Sequence, residues 1–109
     1  MVEYNKLIRD KIPEIIASKG AAAEITVLSD EEYPSYLEAK LDGELGEYHR
    51  DKTAEELAHT LEVICALAES KGLSKEELLQ IYQKKHNERG GFSKKLLLLR
   101  SQPKDGEDR

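Results

Sequence analysis

Apolar residues recur at helical spacing over most of this chain, and one stretch carries more of them than any other. Residues 53–68, TAEELAHTLEVICALA, set Leu57, Leu61, Ile64 and Ala68 at i, i+4, i+7 and i+11. Ala58, Val63, Cys65, Ala66 and Leu67 widen that stripe almost to a full circle. A helix apolar on nearly every side belongs in the middle of a bundle. Glu56, His59 and Glu62 interrupt it at three-residue spacing, where polarity is costly. Either these groups serve a site or they face a gap between helices.

The flanking patterns are helical too. Thr53 and Glu56 have the spacing of a capping box that opens the central helix, and Gly72 ends it after Lys71. The preceding helix has Leu37, Leu41, Leu45 and Tyr48 on its core face and runs to about His49. Ser29 and Glu32 offer it a capping box, but Pro34 lies too deep for that start and removes one hydrogen bond. Its first regular residue is therefore left open between Ser29 and Tyr33. Ser74 and Glu77 open a third helix, SKEELLQIYQKKHNER, which stops at Gly90-Gly91 with Leu78, Ile81 and Tyr82 facing inward. Pro13 fits the first turn of a short helix, PEIIASK, closed by Gly20. The run EITVL at 24–28 is long enough only for an edge strand or an extended connection. Phe92 and Leu96–Leu99 are expected to pack back on the bundle. The pattern predicts an all-α fold of about four helices, forming one domain over residues 1–100. Residues 101–109, SQPKDGEDR, have no apolar content and read as a disordered tail.

Composition narrows the function. Burying a nearly all-apolar helix takes three or more partner helices, and 109 residues supply few, so self-association is expected. The net charge of −5 argues against a nucleic-acid-binding surface and suits carboxylates gathered around a cation. The single cysteine, Cys65, reads as a small buried hydrophobe, with no disulfide framework. No apolar run approaches the roughly 20 residues of a membrane span. No signal-peptide pattern is seen at the start, and a cytoplasmic protein without membrane contact is the expectation.

The candidate chemistry lies on the two central helices. Glu44 and Glu47 fall at the border of the first helix's buried stripe, and Glu56 and His59 share one flank of the second. A turn of four to six residues around Arg50–Lys52 makes the helices an antiparallel hairpin. Glu44 and Glu47 then stand about as far before the turn as Glu56 and His59 stand after it. Acids brought together this way oppose one another unless a cation joins them. A hard divalent metal would neutralise them and leave positions for phosphate oxygens. The bland alternative makes Glu56 only the capping partner of Thr53, and Glu44 and Glu47 solvated surface acids.

Four segments resemble a known family. YNKLIRDKIPEII at 4–16, KLDGELGEY at 40–48, EELAHTLEVICAL at 55–67 and RGGF at 89–92 are similar to the phosphoribosyl-ATP pyrophosphohydrolase-like branch of the MazG nucleotide pyrophosphohydrolases. The resemblance covers residues 4 to about 99 in order. It implies an all-α bundle completed by oligomerisation, as a homodimer or homotetramer. The implied activity is Mg²⁺-dependent hydrolysis of a nucleoside triphosphate to monophosphate and pyrophosphate. The family's metal motif, EExxE followed by ExxD, falls on Gly43, Glu44 and Glu47 and then on Glu56 and His59. Glu44, Glu47 and Glu56 match as metal-holding and catalytic acids. Gly43 replaces the first glutamate, and His59 replaces the aspartate.

These two departures change the expected chemistry. His59 lowers the carboxylate count from four to three, and imidazole prefers Mn²⁺ or another borderline metal to Mg²⁺. The alternative to an enzyme is an impaired family member that binds a nucleotide or a protein partner. Lys6, Arg9 and Lys11 near the start, and Lys85 and Arg89 before Gly90-Gly91, are candidates to hold the triphosphate. Taken singly, Lys11 and Lys85 read better as surface charge.

Overall fold

The computed structural model describes residues 4–102; the expected tail lies outside them from residue 103 onward. The chain is all-α, with helices α1 (Ile12–Ser18), α2 (Tyr33–Asp51), α3 (Ala54–Ser70) and α4 (Lys75–Arg89). It divides into two compact units, one reaching to Leu78 and the other starting at Leu79. Residues 24–28 are an extended connection, with no strand pairing among the described residues.

In the first unit, local sequence sets each boundary. Pro13 occupies the first turn of α1, and Gly20, at φ +75°, donates its N–H to Ala17 O at 3.0 Å to close it. At α2, the Ser29 and Glu32 box is fully formed. The Ser29 N–H donates to Glu32 Oε1 at 3.2 Å, and the Glu32 N–H to Ser29 Oγ at 3.1 Å. The regular helix nevertheless starts at Tyr33, because Pro34 has no N–H to give to the turn. Ser74 and Glu77 form the same reciprocal pair before α4, at 2.9 and 3.1 Å.

The hairpin between α2 and α3 is tighter than its sequence suggested, two residues instead of four to six. Lys52 adopts the left-handed conformation, φ +58° and ψ +31°, and donates to Tyr48 O at 2.7 Å. Thr53 follows in an extended conformation, and its hydroxyl accepts the Glu56 N–H at 3.3 Å. So short a turn makes α2 and α3 antiparallel neighbours, and their packing forms the core of this unit.

The buried seam follows the expected face on α2 except at Leu45, and departs from it on α3. On α2, Tyr33, Tyr36, Leu37, Lys40, Leu41, Glu44, Glu47 and Tyr48 are wholly or partly covered, whereas Leu45 is exposed. On α3 the covered residues are Glu56, His59, Thr60, Val63, Cys65, Ala66, Leu67 and Ala68. Of the expected stripe Ala68 stays buried, while towards the turn the covered line runs one residue earlier, a rotation of about 100°. Leu57, Leu61 and Ile64 consequently face outward at 54%, 52% and 38% exposure. Both seams are apolar away from the turn and polar towards it, so the charged groups lie inside the helix–helix contact. Leu37, 2% exposed, is the most deeply buried apolar side chain, with Val63, Cys65 and Ala68 also buried.

The second unit holds most of α4 and the segment after it. Gly90, at φ +79°, donates to His86 O at 2.7 Å and ends the helix. Tyr82 stacks at 5.9 Å on His86, and Gln83 donates to Asn87 at 2.9 Å. Phe92 and Leu96–Leu99 are exposed rather than packed back, and Ile81 and Tyr82 are about half exposed. No helix is long and apolar enough to cross a membrane among the described residues.

Candidate metal centre

Glu44 is the deepest charged group of the hairpin, 8% exposed in the middle of α2. Lys40, one turn earlier, puts its Nζ 3.5 Å from one carboxylate oxygen. His59 on α3 puts Nδ1 3.6 Å from the other. The same nitrogen lies 3.6 Å from Glu56 Oε2. These distances exceed those of a strong charged hydrogen bond, about 2.7–2.9 Å. Glu44 Oε2 and Glu56 Oε2 are buried and make no hydrogen bond.

The Glu56 carboxylate is also not closing its capping box. Thr53 caps the Glu56 N–H, but the return bond that Glu32 and Glu77 make in their boxes is missing at Glu56. The side chain turns instead towards Glu44, Glu47 and His59. Desolvation raises the Glu56 pKa above its ordinary value, and a hydrogen bond shared with Glu47 and the charges of Glu47 and Glu44 raise it further. His59 opposes that shift. Like charges held this close oppose one another, so negative charge is over-concentrated here.

One donor atom each from Glu44, Glu56 and His59 lies within 4.8 Å of the others. Adjacent ligands of an octahedral ion at ~2.1 Å stand ~3.0 Å apart, so modest side-chain rotations bring this set onto a cation. Two carboxylates and an imidazole form a donor set that fits a borderline divalent metal. Glu47, half-buried, joins through Glu56 rather than within the three-residue group. Thr60, buried beneath, donates its hydroxyl to Glu56 O at 2.8 Å and adds no free donor.

Among the expected phosphate-holding cations of the first unit, Lys6 stands with these acids. It lines a groove of about 530 Å³ that also touches Gly43, Glu44 and Glu47, and its Nζ sits 5.3 Å over the Tyr4 ring. Arg9 instead donates to Glu62 on α3 at 3.3 Å. Both partners of that pair are more than half exposed, and such pairs are worth ~1 kcal/mol or less. Lys11 caps α1 and lines neither the groove nor the cluster. Lys85 and Arg89 stand near the end of α4, in the second unit.

The groove brings in residues that sequence reading passed over: Asn5, Ser35, Tyr36 and Lys40. Their signal was the i, i+4, i+8 row of Tyr36, Lys40 and Glu44, a polar line beside Leu37 and Leu41.

The chain is 50% identical over 42 residues to a protein of Mycolicibacterium smegmatis described as uncharacterized. The matched stretch is 38% of this chain and 43% of that relative, so the chain spans less than half of the relative's length. No protein-family model and no solved structure matches it.

Proposed function

We propose that this protein is a divalent-metal-dependent nucleoside triphosphate pyrophosphohydrolase, releasing a nucleoside monophosphate and pyrophosphate. The observation that carries the reading is the pair of buried carboxylate oxygens on Glu44 and Glu56, which make no hydrogen bond and stand 3.6 Å either side of His59 Nδ1. Burial without hydrogen bonds is costly for carboxylates, and a bound cation would offset that cost. Nucleotide chemistry comes from the resemblance carried by residues 4–16, 40–48, 55–67 and 89–92.

In this reading Glu44, Glu56 and His59 hold the ion, with Glu47 beside them. A divalent ion held there would supply Lewis-acid polarisation of a phosphate oxygen and a more acidic bound water, and the imidazole would suit Mn²⁺ better than Mg²⁺. Glu47 accepts a proton from the attacking water. The water oxygen bonds to the α-phosphorus, the α–β anhydride bridge breaks, and pyrophosphate leaves. Lys6 offsets phosphate charge as the bridge opens.

The reading includes self-association as a homodimer or homotetramer. Leu45, Leu57, Leu61 and Ile64 leave a large apolar surface exposed on the hairpin, which a second copy would cover.

One observation favours a second reading, a binding protein without turnover. His59 stands where the resembled motif has a carboxylate, and Gly43 removes another. Assaying pyrophosphate release from a panel of NTPs and dNTPs with Mg²⁺ and Mn²⁺ separates the two. Release that is lost in Glu44→Gln and Glu56→Gln supports hydrolysis. No release from any nucleotide with either metal sinks it.

A further inference from the structure

The groove beside the carboxylates extends well beyond what holding a metal requires. At about 530 Å³ it falls within the ~300–1,000 Å³ of small-molecule sites. Residues 5–7 make one wall, and one face of α2 makes the other. Along α2 that face changes character. Glu47 and Glu44 stand at one end, Gly43 and Lys40 in the middle, and Tyr36 and Ser35 at the other. Tyr36 and Glu44 are two helical turns apart, about 12 Å along the axis at ~1.5 Å per residue.

Each part of the groove has its own chemistry. The acidic end contains Glu44, whose side chain is nine-tenths buried and whose Oε2 has no hydrogen-bond partner. At Gly43 the wall is bare, since a Cβ built there meets nothing within 4 Å. Lys6, on the wall of residues 5–7, and Lys40, whose Nζ lies 3.5 Å from Glu44 Oε1, supply positive charge in the groove. At the far end, Tyr36 offers the groove's aromatic side chain. The Asn5 side-chain amide makes no hydrogen bond among the described residues, leaving its donor and acceptor free. Its backbone is left-handed, at φ +48°, a conformation uncommon outside glycine. An aromatic face and a free amide suit a base, two cations suit a phosphate chain, and the carboxylates suit its metal.

We infer that this groove seats the nucleotide in one direction, with the base stacked on Tyr36 and its edge read by Asn5. The phosphate chain runs past Lys40 and Lys6, over Gly43, to Glu44 and Glu47. This inference rests on the nucleotide reading proposed above and adds where the base goes and which residues select it. Tyr36 supplies sequence-tolerant stacking affinity, and Asn5 supplies discrimination among bases.

The test is calorimetric titration of the full chain, in Mn²⁺, with non-hydrolysable α,β-methylene nucleoside triphosphates. Inorganic tripolyphosphate serves as the probe without a base. Tyr36→Leu is expected to weaken nucleotide binding roughly 5- to 150-fold, the range set by loss of one stacked base. Tyr36→Phe, which keeps the ring, is expected to change it less than about twofold. Neither variant is expected to alter the affinity for tripolyphosphate or for Mn²⁺ alone. Asn5→Ala, at an exposed position, is expected to narrow the spread of affinities among the four bases.

Equal losses for nucleotide and tripolyphosphate in Tyr36→Leu, or no loss, overturn the inference. If Tyr36→Leu does not fold, Asn5→Ala decides, and an unchanged ranking of the bases overturns the inference. Pyrophosphate release by the wild type that is insensitive to both residues leaves the hydrolase reading standing and removes this one. Tyr36-dependent binding without release does the reverse. Binding of no nucleotide at all removes both.

Discussion

His59 Nδ1 lies equidistant, at 3.6 Å, from Glu44 on the neighbouring helix and from Glu56 on its own. In the proposed metal site, one imidazole would therefore set the metal preference of both carboxylates. His59→Asp raises the anionic count to four and should shift selectivity from Mn²⁺ towards Mg²⁺, changing the affinity ratio by at least about tenfold. Calorimetric titration of each ion into wild type and variant measures that ratio. An unchanged ratio removes His59 from the ligand set. Adding Gly43→Glu tests the impaired-enzyme alternative: activity appearing only in the double variant marks a degenerate enzyme.

The raised pKa of Glu56 makes stability depend on pH in a defined direction. A carboxyl that holds its proton more tightly folded than unfolded stabilises the fold below its unfolded pKa. That contribution is lost as pH rises through the folded value. Metal-free protein should therefore lose stability as pH climbs past the ordinary glutamate range, in urea titrations at successive pH values. Saturating Mn²⁺ should abolish or invert the trend, because the ion favours the ionised carboxylate. Identical profiles with and without Mn²⁺ would argue against a cation at this cluster.

Gly43 and Gly46 both lie inside α2, and a Cβ at either meets nothing within 4 Å. Replacing each with alanine should stabilise the protein by ~1 kcal/mol, read from the urea midpoint. The two should differ in function, since Gly43 lines the groove and Gly46 does not. Gly46→Ala should leave nucleotide binding untouched, while Gly43→Ala narrows the space above Glu44. A lowered midpoint in either variant would place that glycine against a second copy of the chain.

Lys52 takes a left-handed conformation that costs a side-chain-bearing residue about 1–2 kcal/mol. Its ammonium lies 5.6 Å over the Tyr48 ring, which returns part of that, roughly 0.5–1 kcal/mol at an exposed site. Lys52→Gly should therefore be neutral to stabilising by up to ~1 kcal/mol in thermal or urea unfolding. Lys52→Val should be destabilising by more than 1 kcal/mol, since a β-branched side chain tolerates that conformation poorly.

Much of the hairpin was legible in the sequence. Three S/T-x-x-E signals marked helix starts, and two pairs of polar residues at matched distance from one turn marked the cluster. The face of α3 that meets α2 was not legible. A helix apolar around most of its circumference gives periodicity no means of choosing between Leu57, Leu61 and Ile64 and the line one residue earlier. The choice went to the side carrying Glu56 and His59, which pure apolar pattern ranks lower. Two further facts needed coordinates. Thr53 and Glu56 look like Ser74 and Glu77 on paper, yet only the second pair closes reciprocally. Arg9 and Glu62 find each other across 53 positions, a separation that no local rule spans.

The two-residue turn has a consequence for the order in which the chain assembles. His59 follows Glu44 by only fifteen positions, so bringing them together closes a short loop at small entropic expense. Contacts this local form early on a folding pathway. An ion captured by Glu44, Glu56 and His59 would then act on the nascent hairpin as a clasp, accelerating folding as well as stabilising its product. Whatever else the chain builds would be laid down on a pair of helices already fastened at its charged end.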